Sequence, residues 1–213
     1  MALRRIPPGR AGLLWLRHRL AVAHRGLDLL QRKQAILLQE AQRLRMLSDV
    51  TRREWREADA EARAWLLRAA ATGGARAVRH ALPGEAATIT PRWTSVIGVR
   101  CAADPVVLLP DACDGAVFRS PALAEAVAGY RRALPAAARH AAASASYAAV
   151  RAEVTATRQR VRALERRWIP QLESAMAVVR LQMAELEDAD AIRRRRMSTV
   201  EVRHDRTDTA RRR

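Results

Sequence analysis

Five histidines, His18, His24, His80, His140 and His204, are the side chains in this chain best suited to proton transfer or metal binding. They are scattered. None stands in an HExxH arrangement, which needs two imidazoles one helical turn apart with a carboxylate between them. Cys101 and Cys113 are the only cysteines, with no CxxC pair and no adjacent histidine, so they do not compose a zinc site. A disulfide between them and two unpaired thiols in a reducing compartment are both open readings, and the thiols are the plainer one. Gly9 and Gly12 lack the GK[ST] that completes a phosphate loop, so the chain is not expected to bind ATP. Asp28, Glu165 and Glu187 read as formers of surface ion pairs, worth under ~1 kcal/mol each. Nucleophile, base and orienting group cannot be assembled from this set. An enzyme is therefore the least supported class, and no catalytic, cofactor or metal residue is expected.

What the sequence does carry is helical periodicity. From Leu13 onward, apolar residues recur at alternating threes and fours: Leu13, Leu16, Leu20, Ala23, Leu27, Leu30, Leu37, Ala41, Leu44, Trp55, Ala58, Ala62, Trp65 and Ala69. Gln34, Ser48 and Thr51 are the polar lapses. A seven-residue repeat held this long predicts one helix of about 85 Å with a seam along one face, supercoiled left-handedly with a partner. The partner is the stretch toward the other end of the chain. Tyr147, Val150, Val154, Thr157, Val161, Leu164 and Trp168 keep the same rhythm, and Leu172, Ala175, Val179, Met183 and Leu186 continue it. Between Trp168 and Leu172 the step is four where three is due, and Pro170 lies in the gap. Proline removes a donor and crowds the carbonyl of Arg166, which predicts a kink or local unwinding there, not a helix end.

Between these helices the character changes. Gly73-Gly74 should end the first helix. Ala87–Arg100 is rich in β-branched residues and Pro105–Pro110 is short and apolar, which predicts short strands in a hairpin with Pro91 at an edge. Asp111–Gly115 reads as a turn. Ser120-Pro121 reads as a cap and first helical residue, with a bend or an interruption expected near Pro135. The expected organisation is a coiled-coil helix over 1–72, an α/β insert or foot over 73–135, a second coiled-coil helix over 136–197 and a basic tail over 198–213. Such a pair most simply runs antiparallel.

The chain has 213 residues, 49% of them hydrophobic but only 4% aromatic, which suits a narrow seam better than a thick core. Its net charge of +17 calls for anionic partners to be considered. Lys33 is the sole lysine, so arginine carries nearly all of the charge. No run approaches the ~20 apolar residues of a membrane span. The first residues look like a signal peptide at a glance, but Arg17, His18 and Arg19 break the apolar run and the heptads pass through it, so the segment reads as part of the mature helix.

Several stretches also carry a resemblance. Arg19–Lys33 (RLAVAHRGLDLLQRK, with Gly26, Asp28, Leu29, Leu30 and Lys33), Val96–Arg100 with Gly98, Arg160–Glu165 (RVRALE, with Leu164), Ile169-Pro170 and Glu185–Glu187 resemble, in order, segments of the D subunit of the V-type and A-type rotary ATPases. Gln31 stands where that family usually has lysine, Arg162 where it has asparagine, and Ala35 at a commonly acidic position. The resemblance implies a mainly α fold, a long antiparallel two-helix coiled coil with a small insert. It implies a non-catalytic central-stalk rotor that transmits torque between a membrane ring and a hexameric head, coupling ATP synthesis or hydrolysis to proton or sodium transport. Its partners would be the catalytic A and non-catalytic B subunits of the head, the small F subunit of the stalk and the C/d funnel subunit above the membrane ring. The complex would lie peripherally on the cytoplasmic side of the membrane. Arg4, Arg5, Arg10 and the run Arg193, Arg194, Arg195 and Arg196 would then lie at the tip, as rotor–stator contacts or as solvated helix ends whose cations offset the dipole.

Two other classes compete. A basic coiled coil could bind nucleic acid, which the charge supports, but the arginines are spread among glutamates along both helices and no DNA-binding motif is present. A membrane-surface scaffold would turn its seam to lipid, yet that seam is matched by a second helix.

Overall fold

The computed structural model describes residues 6–80, 85–110 and 120–211, with side chains for all of these except 75, 80 and 198–211. Helix α1 spans Gly9–His80, strand β1 Thr88–Val96, strand β2 Val99–Leu108, helix α2 Pro121–Ala163 and helix α3 Ile169–Arg211; a π-helical turn, Leu164–Trp168, joins α2 to α3. The chain is thus mainly helical, with two long helical arms and a small antiparallel hairpin between them. The turn expected over Asp111–Gly115 lies outside the described residues.

α1 contains no proline, and its one departure from helical geometry is Gly74, at φ 70° and ψ 169°. This is where the Gly73-Gly74 stop was expected; the chain then resumes a helical path to His80. α2 starts at Pro121, and the Ser120 carbonyl accepts from the amides of Leu123 and Ala124, as a capping residue does. Of the bend or interruption expected near Pro135, the interruption does not occur: the proline lies inside the single helix Pro121–Ala163. An interior proline costs about 3 kcal/mol. Ala133 and Ala136, both buried, hold the helix on either side of it and supply the opposing packing. α3 continues beyond Met197, the expected helix end, to Arg211.

The chain divides into two compact units, residues 1–31 with 159–213 and residues 32–158. In the first, Arg10 pairs with Glu187 and Gln31 bonds Glu165, so α1 and the second arm run antiparallel. In the second, Lys33 meets Glu153, Thr51 meets His140 and Glu61 meets Arg132, again antiparallel.

In the second unit β1 pairs with β2 from Thr88↔Leu108 to Val96↔Val99, with an irregularity beside Pro91. That is how an edge strand accommodates a residue without a donor. The turn is Ile97-Gly98, both with positive φ (49° and 79°), the conformation of a tight two-residue hairpin connection. Gly98 adopts it without penalty. The β-branched Ile97 does not. The hairpin folds back along the helices: Val96, Val99 and Cys101 pack on Leu37, Leu44 and Val150. Ser146 Oγ donates to the Ala102 carbonyl at 2.7 Å, and Arg131 donates to the Pro110 carbonyl at 2.7 Å.

Candidate functional site

The first unit is built on a seam of large aliphatic residues. Leu16, Ala23, Ile169, Leu172 and Val179 form its buried core, with Leu13, Leu20, Leu27, Trp168, Ala175, Met176 and Met183 packed around it. Val161 is buried and Leu164 half-buried. The π turn explains how the seam survives Pro170. The Ile169 amide bonds the Leu164 carbonyl five residues back, instead of four. The extra residue absorbs the proline and rotates the helix, so that Ile169, 7% exposed, becomes the buried residue, while Trp168 is only partly covered. Sequence spacing put Trp168 on the seam and passed over Ile169. The one available signal was the four-residue step itself.

Leu186, expected on the same seam, is 63% exposed. The cause is register. Arg10 lies opposite Glu187, and α1 begins at Gly9, so hardly any of α1 is left to cover Leu186. The exposed Arg10 reaches Glu187 at 3.5 Å, and Arg193 pairs with Asp190 within its own helix at 3.3 Å. Arg194 donates to the Asp190 carbonyl, and Arg195 and Arg196 are exposed. Arg4 and Arg5 lie outside the described residues.

The second unit has two kinds of packing. Leu37, Leu44 and Val150 make an aliphatic core with Cys101, with Val154 beside it. Toward the start of α2 the contact residues become small: Ala62, Ala69, Ala126, Ala133, Ala136 and Ala143 are all buried. Gly129 sits so close to Ala62 that a Cβ there would lie 3.0 Å from that residue's Cα and Cβ. Trp55 and Trp65 are half-buried; Trp55 stacks on His140 at 5.6 Å and Trp65 lies under Arg68 at 4.5 Å. Leu30, in the first unit, is half-buried as well.

Two of the polar lapses, Thr51 and Thr157, find partners within the fold. Thr51, buried, donates to the Leu47 carbonyl at 2.9 Å, and Thr157, fully buried, contacts Glu153 at 3.4 Å. Gln34 and Ser48 are half-buried. Among the motif positions, Lys33 Nζ lies 2.7 Å from Glu153, and Gln31 Nε2 donates to Glu165 at 2.8 Å. Gly98 forms the hairpin turn, and Pro170 is exposed just beyond the π turn. Gly26 and Leu30 are partly covered, while Asp28, Leu29 and Arg160 face outward.

One ionic cluster borders the hairpin. Arg43 binds Glu40 with contacts down to 2.6 Å, and that hydrogen bond holds the Glu40 carboxyl below the usual carboxylate range and raises Arg43. Burial pushes the nearby Cys101 thiol up, as expected of an inert buried thiol. Cys113 lies outside the described residues, so Cys101 is described alone, as a free buried thiol. An open groove of about 500 Å³ runs between hairpin and helices, lined by Leu44, Leu47, Val50, Val96 and Ala143 among others. Among the described residues no cluster of His, Cys, Asp and Glu could hold a metal ion, and no helix is long and apolar enough to cross a membrane.

This arrangement pairs helices and presents surfaces. A family model for the ATP synthase D subunit matches residues 12–199, which include most of both helical arms, the hairpin and the π turn. No curated protein shows a significant match to the chain.

Proposed function

The chain belongs to the family of ATP synthase D subunits, a stalk component of a membrane-associated rotary ATPase, and we propose that it is the central rotor shaft of that complex. In this reading it turns inside a head of A and B subunits, carries the small F subunit on its flank and stands on the funnel subunit above the membrane ring. It has no catalytic step of its own. It couples ATP synthesis or hydrolysis to proton or sodium transport by presenting different faces to the head as it turns. The complex sits peripherally on the cytoplasmic side of the membrane.

The observation that carries the proposal is the pairing of α1 with the second arm by matched apolar seams in both units. Torque needs an element that resists unwinding. It also needs a surface that interacts unequally with the conformations of the head, since equal affinity for all of them would bias none. The basic tip residues, Arg10 and Arg193–Arg196 among them, are candidates for that unequal contact.

A rotation assay tests it. With the head anchored and a bead fixed near exposed Arg53, ATP should drive the bead in one direction. A stationary bead on a complex that hydrolyses ATP and retains the chain would overturn the proposal.

A further inference from the structure

We propose that the outward face of the hairpin is a docking surface for a protein partner that presents a carboxylate beside an apolar side chain. The face consists of Trp93, Arg100 stacked on it, and Ile97 at the turn. The inference rests on the stalk reading, because the partner is taken to be another subunit of the same complex.

Strand alternation separates the two faces of the hairpin. Val96, Val99 and Cys101 face the helices. Trp93 and Arg100 belong to the other face, and β1 is exposed along its length except at Val96. Trp93 is 53% exposed, and the Arg100 guanidinium lies 4.0 Å over its ring. Among the described residues Arg100 has no ion pair. Its cation is thus held by an aromatic face, with its hydrogen-bond donors left for a carboxylate. Tryptophan and arginine are the residues that most often carry interface energy, because one supplies rigid apolar area and the other a fixed fork of donors.

The turn supplies a second, independent observation. Ile97 takes φ 49° and is 41% exposed. Asparagine or glycine would suit that position far better. A hairpin selected only for its own stability would not keep a β-branched apolar side chain in a left-handed conformation facing water. Strain retained on an exposed apolar residue points to a contact that the isolated chain lacks.

The test uses the full chain in the complex purified through a catalytic subunit, with a benzophenone amino acid replacing Trp93. Light should cross-link this position to one subunit, within a peptide containing Asp or Glu. Introducing Arg100→Glu should lower the yield about tenfold, as loss of an interface anchor does, while Arg100→Lys should keep most of it. Ile97→Asn separates docking from folding. It should slow amide exchange across residues 88–108 in the free chain, because it relieves the turn, yet lower the cross-link yield in the complex. An unchanged yield with Ile97→Asn or with Arg100→Glu, or no cross-link from a complex that contains the chain, overturns this inference alone. A chain that never enters the complex overturns the stalk reading and this inference with it.

Discussion

In the unit formed by residues 1–31 and 159–213, the space between the helices is filled by Leu16, Ile169, Leu172 and Val179. In residues 32–158, the stretch around Ala62 is filled by Ala69, Ala126 and Ala133, with Gly129 directly against Ala62. Large side chains fill a seam through their own volume, so each one removed leaves a hole. Small residues make a seam by letting the backbones approach, so each one enlarged forces the helices apart. The two stretches should therefore respond to opposite substitutions. The hairpin is anchored beside the aliphatic part of the second unit, where Leu37, Leu44 and Val150 give it a surface broad enough to pack on.

The largest effect should come from Leu172→Ala or Leu16→Ala, at sites 1% and 0% exposed. Each should cost about 2–5 kcal/mol, the range for emptying a buried leucine site. Denaturant unfolding of the free chain measures it, and a loss well under that range would mean that the seam collapses around the hole. The converse change, Ala62→Leu at a site 0% exposed, should cost about 1–3 kcal/mol through overpacking. A neutral result would show that the helices separate freely there, and the contrast between the stretches would fail.

Ser146→Ala removes the 2.7 Å bond to the Ala102 carbonyl. The expected loss is about 1 kcal/mol, appearing as faster amide exchange in β1 and β2 with the helices less affected. Equal acceleration throughout would mean that the hairpin and its helices open as one. Gly129→Ala sharpens the comparison by opposing two effects. Helix propensity alone favours alanine by about 1 kcal/mol, but the new Cβ would lie 3.0 Å from Ala62. We expect no net gain in melting temperature; a clear gain would show slack at this contact.

The smallest effect concerns pH. The hydrogen bond from Arg43 lowers the folded-state pKa of Glu40. The associated stability is present above the unfolded carboxylate value and is lost as pH falls through the lower folded one. Below about pH 4, Glu40→Gln should therefore lose less stability than the unaltered chain. Parallel acid limbs in the two unfolding profiles would show that the pair contributes nothing to folding.

The sequence alone determined the helical arms, the apolar period on which the buried Leu16, Leu37, Leu44, Val161, Leu172 and Val179 lie, the hairpin segment and the disturbance at Pro170. Each of these is written in local signals: a period near 3.5, β-branched runs, and glycine or proline at the breaks. Only the tertiary structure decided that the disturbance is a π turn that buries Ile169, and that Leu186 has little cover among the described residues. Those outcomes depend on which residue of α1 lies opposite, across more than a hundred residues of chain. The same holds for the hairpin lying back along Leu37 and Val150, for Ser146 tethering it and for Gly129 touching Ala62. Ser146, Gly129 and the alanines in the first half of α2 carry almost no periodic signal of their own. What they do is set by the distance between two backbones, and that distance exists only once the helices have paired.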